Sequence, residues 1–311
     1  RCERVGGMEL STVIFDIGGV VLNWVPERAY EQVMPADEVP GFMKRIGFDG
    51  WNRANDALAS IEGSEDELVA RFPADEDRIR GYRQHFLRTV TEMVPGTPAV
   101  IAELGQAGVR LGALTNWAAD MFALARPRFG VFTRFGDIVV SGTEGVVKPD
   151  PEIYRLACER LGIHPGQAVF IDDSPANVHA AEEFGLHGLH FTSATQLRED
   201  LVGLGLLADR ARVTEPIFHW TLRSRWAEAT ASGGFPWSTR DADYNAEGFV
   251  HCSFADQVDG TRRRFYGDVP DAKLVLLQLD PDPDLPIVVE DGYPHLFAPL
   301  PVDRVAAVQR P

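Results

Sequence analysis

Segments typical of β-strands alternate with segments typical of helices over the first two hundred residues, and this alternation constrains the fold more than any other feature. The strand-like segments are 11–21, 109–116, 137–141, 168–173 and 186–191. The helix-like segments between them are 97–108, 151–162 and 176–185. Apolar strands that alternate with helices build a parallel sheet with both faces covered, so we predict an α/β domain.

Two stretches depart from this alternation. Residues of about 24–92 carry charge-rich helical patterns without a convincing strand, which predicts a helical cap inserted over the mouth of a site. After about residue 212, short strands and turns rich in Pro, Gly and Asp predict a smaller α+β domain. We therefore divide the chain into an N-terminal extension at 1–9, with Met8 as the expected natural start, a first domain at 10–210 and a second domain at 213–311.

Composition argues against several classes of function. The formal net charge of −16 opposes binding to a nucleic-acid backbone. No apolar run reaches the roughly 20 residues of a membrane-spanning helix, and the first residues lack the apolar stretch of a signal peptide. The chain has three cysteines without C-x-x-C spacing, which argues against a disulfide scaffold and favours a reducing, cytoplasmic setting.

Several polar residues lie at the carboxyl ends of predicted strands or in the loops beside them, where open α/β sheets place their sites. These residues are Asp16, Thr115, Asn116, Lys148, Asp172 and Asp173. A lone Asp after a strand is more often a helix cap or a turn residue. The Asp172–Asp173 pair is more informative, because adjacent carboxylates repel each other unless a cation lies close to both.

In this order and spacing, the residues resemble the four motifs of the haloacid dehalogenase superfamily of phosphatases. FDIGGV resembles the first motif, LTN the second, the lysine of VVKPDPEIY the third and FIDDS the fourth. The resemblance runs from residue 10 to about 205, with the cap included. It implies a Rossmannoid parallel sheet with a helical C1-type cap, and a phosphatase that uses Mg²⁺.

The resemblance also implies a role for each of these residues. The implied catalytic residues are Asp16, Thr115 and Lys148. The implied phosphate-binding residues are Gly18, Gly19 and Asn116. The implied Mg²⁺ ligands are Asp16, the Gly18 carbonyl oxygen, Asp172 and Asp173. Attack on carbon, as in hydrolytic dehalogenation, needs no metal, so the pair of adjacent acids argues for phosphoryl transfer through an aspartyl-phosphate.

One position departs from the superfamily pattern. Most of its phosphatases carry a second Asp two residues after the nucleophile as general acid and base, and here that position is Gly18. Three interpretations stay open: substrates with good leaving groups, a proton supplied by water or by a cap residue such as His85 or Glu92, or a domain that has lost turnover and only binds phosphate. The other retained motif residues favour the first two.

Residues 215–309 resemble the small bacterial domain-of-unknown-function 952 family. Their H-x-T and H-x-S elements also resemble, more loosely, the ADP-ribosyltransferase fold, in which such residues hold the ribose hydroxyls of NAD. The candidate ligand-site residues are His219, Thr221, His251, Ser253 and His295. The alternative is that the histidines are core residues bonded to the backbone. Zinc is disfavoured, because the histidines lie on separate segments without ligand spacing.

The leading hypothesis is Mg²⁺-dependent hydrolysis of a small phosphorylated metabolite, with an accessory C-terminal domain that binds a nucleotide or another small ligand. One alternative is a catalytically weak, phosphatase-like binding or regulatory protein. Another is a bifunctional enzyme that processes an ADP-ribosyl or NAD-derived compound. The expected partner is the metabolite, with neither nucleic acid nor membrane, and a homodimer is compatible with the sequence.

Overall fold

The structure, a computed structural model, describes residues 4–5, 8–209, 213–280, 282 and 284–310. Most of the predicted N-terminal extension, and residues 210–212 at the predicted domain boundary, therefore lie outside the described residues. The strands before that boundary are β1 (Arg4–Val5), β2 (Met8–Glu9), β3 (Thr12–Phe15), β4 (Leu22–Asn23), β5 (Glu92–Met93), β6 (Arg110–Thr115), β7 (Asp137–Val140), β8 (Ala168–Asp172) and β9 (His187–His190).

A parallel sheet with the strand order β7-β6-β3-β8-β9 forms the centre of the first part of the chain, which confirms the α/β prediction. Strand β3 lies in the middle, between β6 and β8. Its side chains alternate between the two faces, so Val13 and Phe15 enter one core cluster while Ile14 enters the other. Because the strands run in one direction, their carboxyl ends share one edge of the sheet.

The segment between β4 and β5 forms the predicted cap. Its helices are α1 (Glu27–Tyr30), α2 (Val39–Ile46), α3 (Phe48–Asn55), α4 (Glu62–Arg71) and α5 (Glu76–Gln84). Stacked and edge-on contacts among Tyr30, Phe48 and Tyr82 hold the helices together. Strands β4 and β5 bound the cap and pair antiparallel at its base. Two-residue strands are too short to show a period-two pattern in the sequence.

The remaining helices of this part cover the sheet. They are α6 (Thr97–Gln106), α7 (Ala119–Ala125), α8 (Ser141–Glu144), α9 (Pro151–Leu161), α10 (Pro175–Phe184) and α11 (Ala194–Gly203). Helix α9 shows how the sequence sets its ends: the Asp150 side chain accepts a hydrogen bond from Glu152 N, and Gly162 closes the helix at a φ of 62°. Within the described residues, every helix is too short or too polar to span a bilayer.

The second part of the chain is α+β, as predicted. Its elements are β10 (Ile217–Leu222), α12 (Arg223–Ser232), α13 (Tyr244–Glu247), β11 (Val250–His251), α14 (Val258–Tyr266), β12 (Leu274–Leu279), β13 (Ile287–Glu290), β14 (Tyr293–Leu296) and β15 (Val305–Gln309). The strands form two antiparallel sheets, with the orders β10-β12-β15 and β11-β14-β13.

The two parts pack against each other. Ala102 of α6 lies in one buried cluster with Val288 of β13 and with Phe297. Beside this cluster, the guanidinium of Arg134 donates two hydrogen bonds to the Glu290 carboxylate, at 2.9 and 3.0 Å. A forked arginine–carboxylate contact fixes orientation as well as distance, so the parts meet in a defined geometry.

Candidate active site

The carboxyl edge of the sheet brings the predicted site residues together. Asp16 directly follows β3, Thr115 ends β6 and Asp172 ends β8. These strands are neighbours and run parallel, so residues from three distant stretches of sequence meet at one edge. Asp16 is held there by its backbone N–H, which donates to Ile171 O at 2.8 Å.

Lys148 links two carboxylates of this edge. Its Nζ lies 2.8 Å from Asp16 Oδ1 and 2.7 Å from Asp172 Oδ2, and it also donates to Leu114 O at 3.2 Å. The lysine is only 4% exposed. Burial lowers the pKa of Lys148, but the two carboxylates outweigh this effect and raise it, so the side chain stays charged.

Asn116 fixes the loop that carries this lysine. Its amide oxygen accepts a hydrogen bond from Lys148 N at 2.8 Å, and its amide nitrogen donates to Lys148 O at 3.0 Å. Both ends of the amide are therefore engaged with the lysine backbone. In this geometry Asn116 positions Lys148, which is a different task from the predicted contact with phosphate.

The adjacent acids Asp172 and Asp173 have different surroundings. Asp172 is fully buried, and both of its oxygens accept hydrogen bonds, from Lys148 Nζ, Ser174 N and Asn177 Nδ2. Asp173 faces the Gly18–Gly19 turn, where a Cβ added to Gly19 would collide with Asp173 Oδ2. Asp173 is therefore the freer of the two to bind a cation, because hydrogen bonds already engage both carboxylate oxygens of Asp172.

The Gly18–Gly19 turn lies directly after the predicted nucleophile. Gly19 has a φ of 74°, in the left-handed region that favours glycine, and its N–H donates to Leu22 O at 2.9 Å. Gly18 does not adopt a positive φ, and a Cβ added to it meets nothing within 4 Å. The turn thus requires glycine at position 19, whereas position 18 has room for a side chain.

The donor set at this edge fits a hard divalent cation. Asp16, Asp172 and Asp173 can each offer one oxygen, and these oxygens lie within 4.8 Å of one another. Burial raises the pKa of Asp16, and the neighbouring Asp172 raises it further while Lys148 opposes the shift. A cation at this point would relieve that repulsion, and carboxylate oxygens are the ligands that Mg²⁺ prefers.

A cavity of about 430 Å³ separates this edge from the cap. From the sheet side it is lined by Gly18, Thr115 and Asp173, and from the cap by aromatic and polar side chains. Thr115 Oγ1 has no hydrogen-bond partner among the described residues, so it is free for a ligand. The cap candidates His85 and Glu92 do not line this cavity, and Glu92 lies 3.7 Å from Arg28 in an exposed ion pair.

The cap instead contributes an acid that the sequence analysis did not single out. Asp56, which follows α3, lines the cavity together with Asn52 and Arg53. Nothing in its local sequence distinguishes it from the other acids of the cap. Asp56 reaches the cavity only because the cap folds back over the sheet.

The second part of the chain holds a cavity of about 510 Å³. Four of the five candidate ligand-site residues, His219, His251, Ser253 and His295, line it, whereas the buried Thr221 does not. The three histidines converge although they lie on separate segments: the rings of His251 and His295 are 5.0 Å apart, and His219 Nδ1 lies 2.8 Å from His251 O. The contact between His219 Nδ1 and the backbone oxygen of His251 also agrees with the alternative prediction, in which the histidine is a core residue bonded to the backbone.

Glu290 supports one wall of this second cavity. Its carboxylate lies 3.0 Å from His295 Nδ1 and also receives the Arg134 guanidinium from the first part of the chain. Burial raises the pKa of Glu290, but these partners outweigh it and lower the pKa to about 2.

Comparisons with known proteins identify both parts. The sequence model of the haloacid dehalogenase-like hydrolases matches residues 10–185. The model of DUF952, a protein family of unknown function, matches residues 220–308.

Several relatives match part of this chain. Flavin mononucleotide hydrolase 1 of Arabidopsis thaliana is 47% identical over 144 residues, which cover 46% of this chain and 58% of the plant protein. The N-acetylmuramic acid 6-phosphate phosphatase of Pseudomonas aeruginosa is 28% identical over 189 residues, which cover 57% and 80%. The chain thus spans less than two thirds of some relatives, and only 18% of acyl-CoA dehydrogenase family member 10 of Mus musculus.

Solved structures align with part of this chain. A haloacid dehalogenase family enzyme from Bacteroides thetaiotaomicron, solved with magnesium and inorganic phosphate, aligns with a TM-score of 0.45 and 18% identity. The alignment covers 59% of this chain and 95% of that enzyme.

We expect Lys148→Met to destabilise the protein by about 3–5 kcal/mol, because it leaves two buried carboxylates without their cation. The matched control is Lys44→Met on α2, which removes an exposed lysine and should change the free energy of unfolding by less than about 0.5 kcal/mol. Urea unfolding without added metal measures both. Equal stability of the two variants would contradict the structural role of Lys148.

Proposed function

The chain belongs to the haloacid dehalogenase-like hydrolase family, and on this basis we propose that it is a Mg²⁺-dependent phosphoric monoester hydrolase that acts on a small phosphorylated metabolite. The observation that carries the proposal is Asp16 at the end of the central strand. Its Oδ1 is held by Ile17 N and Lys148 Nζ, while Oδ2 has no hydrogen-bond partner among the described residues. One oxygen is thus fixed, and the other is available for attack.

The proposed reaction proceeds in two steps. Asp16 Oδ2 attacks phosphorus, the bond between phosphorus and the leaving oxygen breaks, and an aspartyl-phosphate forms. Water then attacks phosphorus and releases inorganic phosphate, which returns the carboxylate. Thr115 Oγ1 donates to a phosphoryl oxygen, and the Lys148 ammonium neutralises charge on Asp16 and on the phosphoryl group.

Mg²⁺ would be held by Asp16, the Gly18 carbonyl oxygen and Asp173, with Asp172 anchored behind them. Its chemical contribution would be to neutralise negative charge on the phosphate, which otherwise repels the carboxylate nucleophile. The Bacteroides enzyme solved with magnesium and phosphate belongs to the same family. Hydrolytic dehalogenation needs no metal, so it would not account for the convergence of Asp16, Asp172 and Asp173.

The cap cavity supports a small organic phosphate as substrate. Trp24, Tyr82 and Trp117 give it aromatic walls, and Asn52 and Arg53 add polar groups. Two relatives, the flavin mononucleotide hydrolase and the N-acetylmuramic acid 6-phosphate phosphatase, have names that specify phosphate esters of ring compounds. We propose the same broad substrate class here.

We expect Asp16→Asn to lower kcat for p-nitrophenyl phosphate to below a few per cent of the wild-type value, because the amide cannot form the aspartyl-phosphate. The change is close to isosteric, so the circular dichroism spectrum should be retained. Asp77→Asn, on the exposed face of α5, is the matched control and should keep full activity. Retained turnover in Asp16→Asn would remove the nucleophile assignment.

We expect a chelator to abolish turnover, and Mg²⁺ to restore it better than Ca²⁺, which prefers higher coordination and looser geometry. Added Mg²⁺ should also raise the Tm of the wild type, since a ligand that binds only the folded state stabilises it. The increase should be smaller in Asp173→Asn. Full activity in excess chelator would contradict the metal requirement.

The cavity of the DUF952 domain supports a second function, and we propose that it binds a nucleotide-like ligand. Ser238 and His219 are buried in its lining, and neither Ser238 Oγ nor His219 Nε2 has a hydrogen-bond partner among the described residues. Buried polar groups without partners are rare unless a ligand or water completes them. Burial also lowers the pKa of His219 to about 4, so its ring is neutral and one nitrogen can accept a hydrogen bond.

The rest of that lining is aromatic and charged. Trp220 and the exposed Phe265 belong to it, and Arg240 and Arg264 bring positive charge. It also contains three acids, of which Asp241 and Glu290 are each paired with an arginine. Neutral imidazoles next to hydroxyl side chains are suited to vicinal hydroxyl groups, as in a ribose. The ligand proposed is therefore a ribose-containing phosphate.

We expect ADP-ribose to quench tryptophan fluorescence with saturation, because Trp220 lines the cavity. His251→Ala should weaken binding at least about tenfold, which corresponds to about 1.4 kcal/mol. His179→Ala, at an exposed histidine of α10, is the matched control and should bind as the wild type does. No saturation up to about 1 mM, an affinity of only −4.1 kcal/mol, would contradict the proposal.

A further inference from the structure

We propose that Asp56 of the cap supplies the proton donor and acceptor that Gly18 cannot supply. This inference rests on the proposed phosphatase function, and it assigns a catalytic role to a residue outside the four motifs. It also replaces the cap candidates His85 and Glu92, which do not line the cavity.

The position of Asp56 supports the role. It lines the cavity from the cap side, opposite Gly18, Thr115 and Asp173 of the sheet edge. Apart from Asp173, it is the acidic residue that the described lining contains. If the phosphoryl group of a substrate lies at Asp16 and its organic part fills the cavity, the leaving oxygen that joins them lies at the boundary between Asp16 and the cavity that Asp56 lines.

The side chain of Asp56 is not used for structure. Neither of its carboxyl oxygens makes a hydrogen bond or an ion pair with the described residues. The cap acids Glu65 and Asp75, by contrast, are engaged with arginines. A half-buried carboxyl group that faces a cavity without a partner is free to exchange a proton with a bound ligand.

The backbone of Asp56 is nevertheless held firmly. Its carbonyl oxygen accepts a hydrogen bond from Ser141 Oγ, on the sheet side of the cavity. Two residues later, Leu58 O accepts from Ala119 N at 3.0 Å, and a Cβ added to Gly142 would collide with that same carbonyl oxygen. The loop after α3 is therefore anchored to the sheet domain, which fixes the distance between Asp56 and the reacting phosphate.

The local electrostatics agree with a proton donor. Burial raises the pKa of Asp56 to about 7; Lys148 and Arg53 lower it, and Asp16 raises it. An acid whose pKa lies near neutrality can both donate and accept a proton at physiological pH. The effect of Asp16 and Lys148 also shows that Asp56 lies within electrostatic reach of the sheet edge.

The proton balance closes over the two steps. In the first, the protonated Asp56 gives its proton to the leaving oxygen as the bond to phosphorus breaks, and becomes a carboxylate. In the second, that carboxylate takes a proton from the attacking water as the bond between Asp16 and phosphorus breaks. Asp56 then returns to its protonated form.

Leaving-group dependence tests the assignment. Asp56→Asn should lower kcat/KM for β-glycerol phosphate, whose alkoxide leaving group needs a proton, about 100-fold or more. It should lower kcat/KM for p-nitrophenyl phosphate less than about fivefold, because p-nitrophenolate leaves without a proton. Asp49→Asn, at an exposed Asp on α3, the helix that precedes Asp56, is the matched control and should change both values less than about twofold.

A rescue variant separates a catalytic role from a structural one. Position 18 has space for a side chain and a permissive φ, so Gly18→Asp added to Asp56→Asn should recover at least about tenfold of the lost glycerol phosphate hydrolysis. Equal losses on both substrates in Asp56→Asn, or no loss, would overturn the assignment while the phosphatase function stands. A wild-type protein that hydrolyses neither ester with Mg²⁺ would overturn the proposed function itself.

Discussion

Two carboxylates lie within hydrogen-bonding distance of one buried ammonium group at the carboxyl edge of the sheet, and the geometry of the site depends on this contact. Without Lys148, Asp16 and Asp172 would be like charges in a region with little water, and burial would favour their neutral forms. A protonated Asp16 is not a nucleophile. The lysine belongs to a loop rather than to a strand, so the loop itself has to be fixed, and Asn116 does this through both ends of its amide.

The central sheet could be predicted because short stretches of adjacent residues specify each of its strands and helices. Strands such as β8, buried on both faces, read as continuous apolar runs, and helix α9 carries its own end signals in Asp150, Pro151 and Gly162. The convergence of Asp16, Thr115 and Asp172 at its edge followed from the same logic, since residues after neighbouring parallel strands must meet. The recognition of Lys148, whose position in a loop carries no such information, depended on the family motif.

The rest depends on how distant segments pack, which residue patterns do not encode. The cap was predicted, but the acid that lines the cavity from it was not. The sequence analysis named His85 and Glu92, whereas Asp56 reaches the cavity through the path of the loop after α3. The short strands β4 and β5 exist only as a pair, and neither has a pattern of its own. Likewise, His219, His251 and His295 were grouped as candidates although they lie on separate segments without ligand spacing, and only the fold shows that all three line one cavity.

The bridge from Arg134 to Glu290 has a consequence for modularity. Glu290 lines the second cavity, yet the guanidinium that orients it belongs to the hydrolase part of the chain, and Val288 and Phe297 beside it are buried against α6. A DUF952 domain grafted onto another carrier would keep its strands but lose the support for that wall, and would expose an apolar face to water. In this protein the hydrolase part supports one wall of the second cavity. Neither part could therefore be replaced without matching changes in the residues of the other part that contact it.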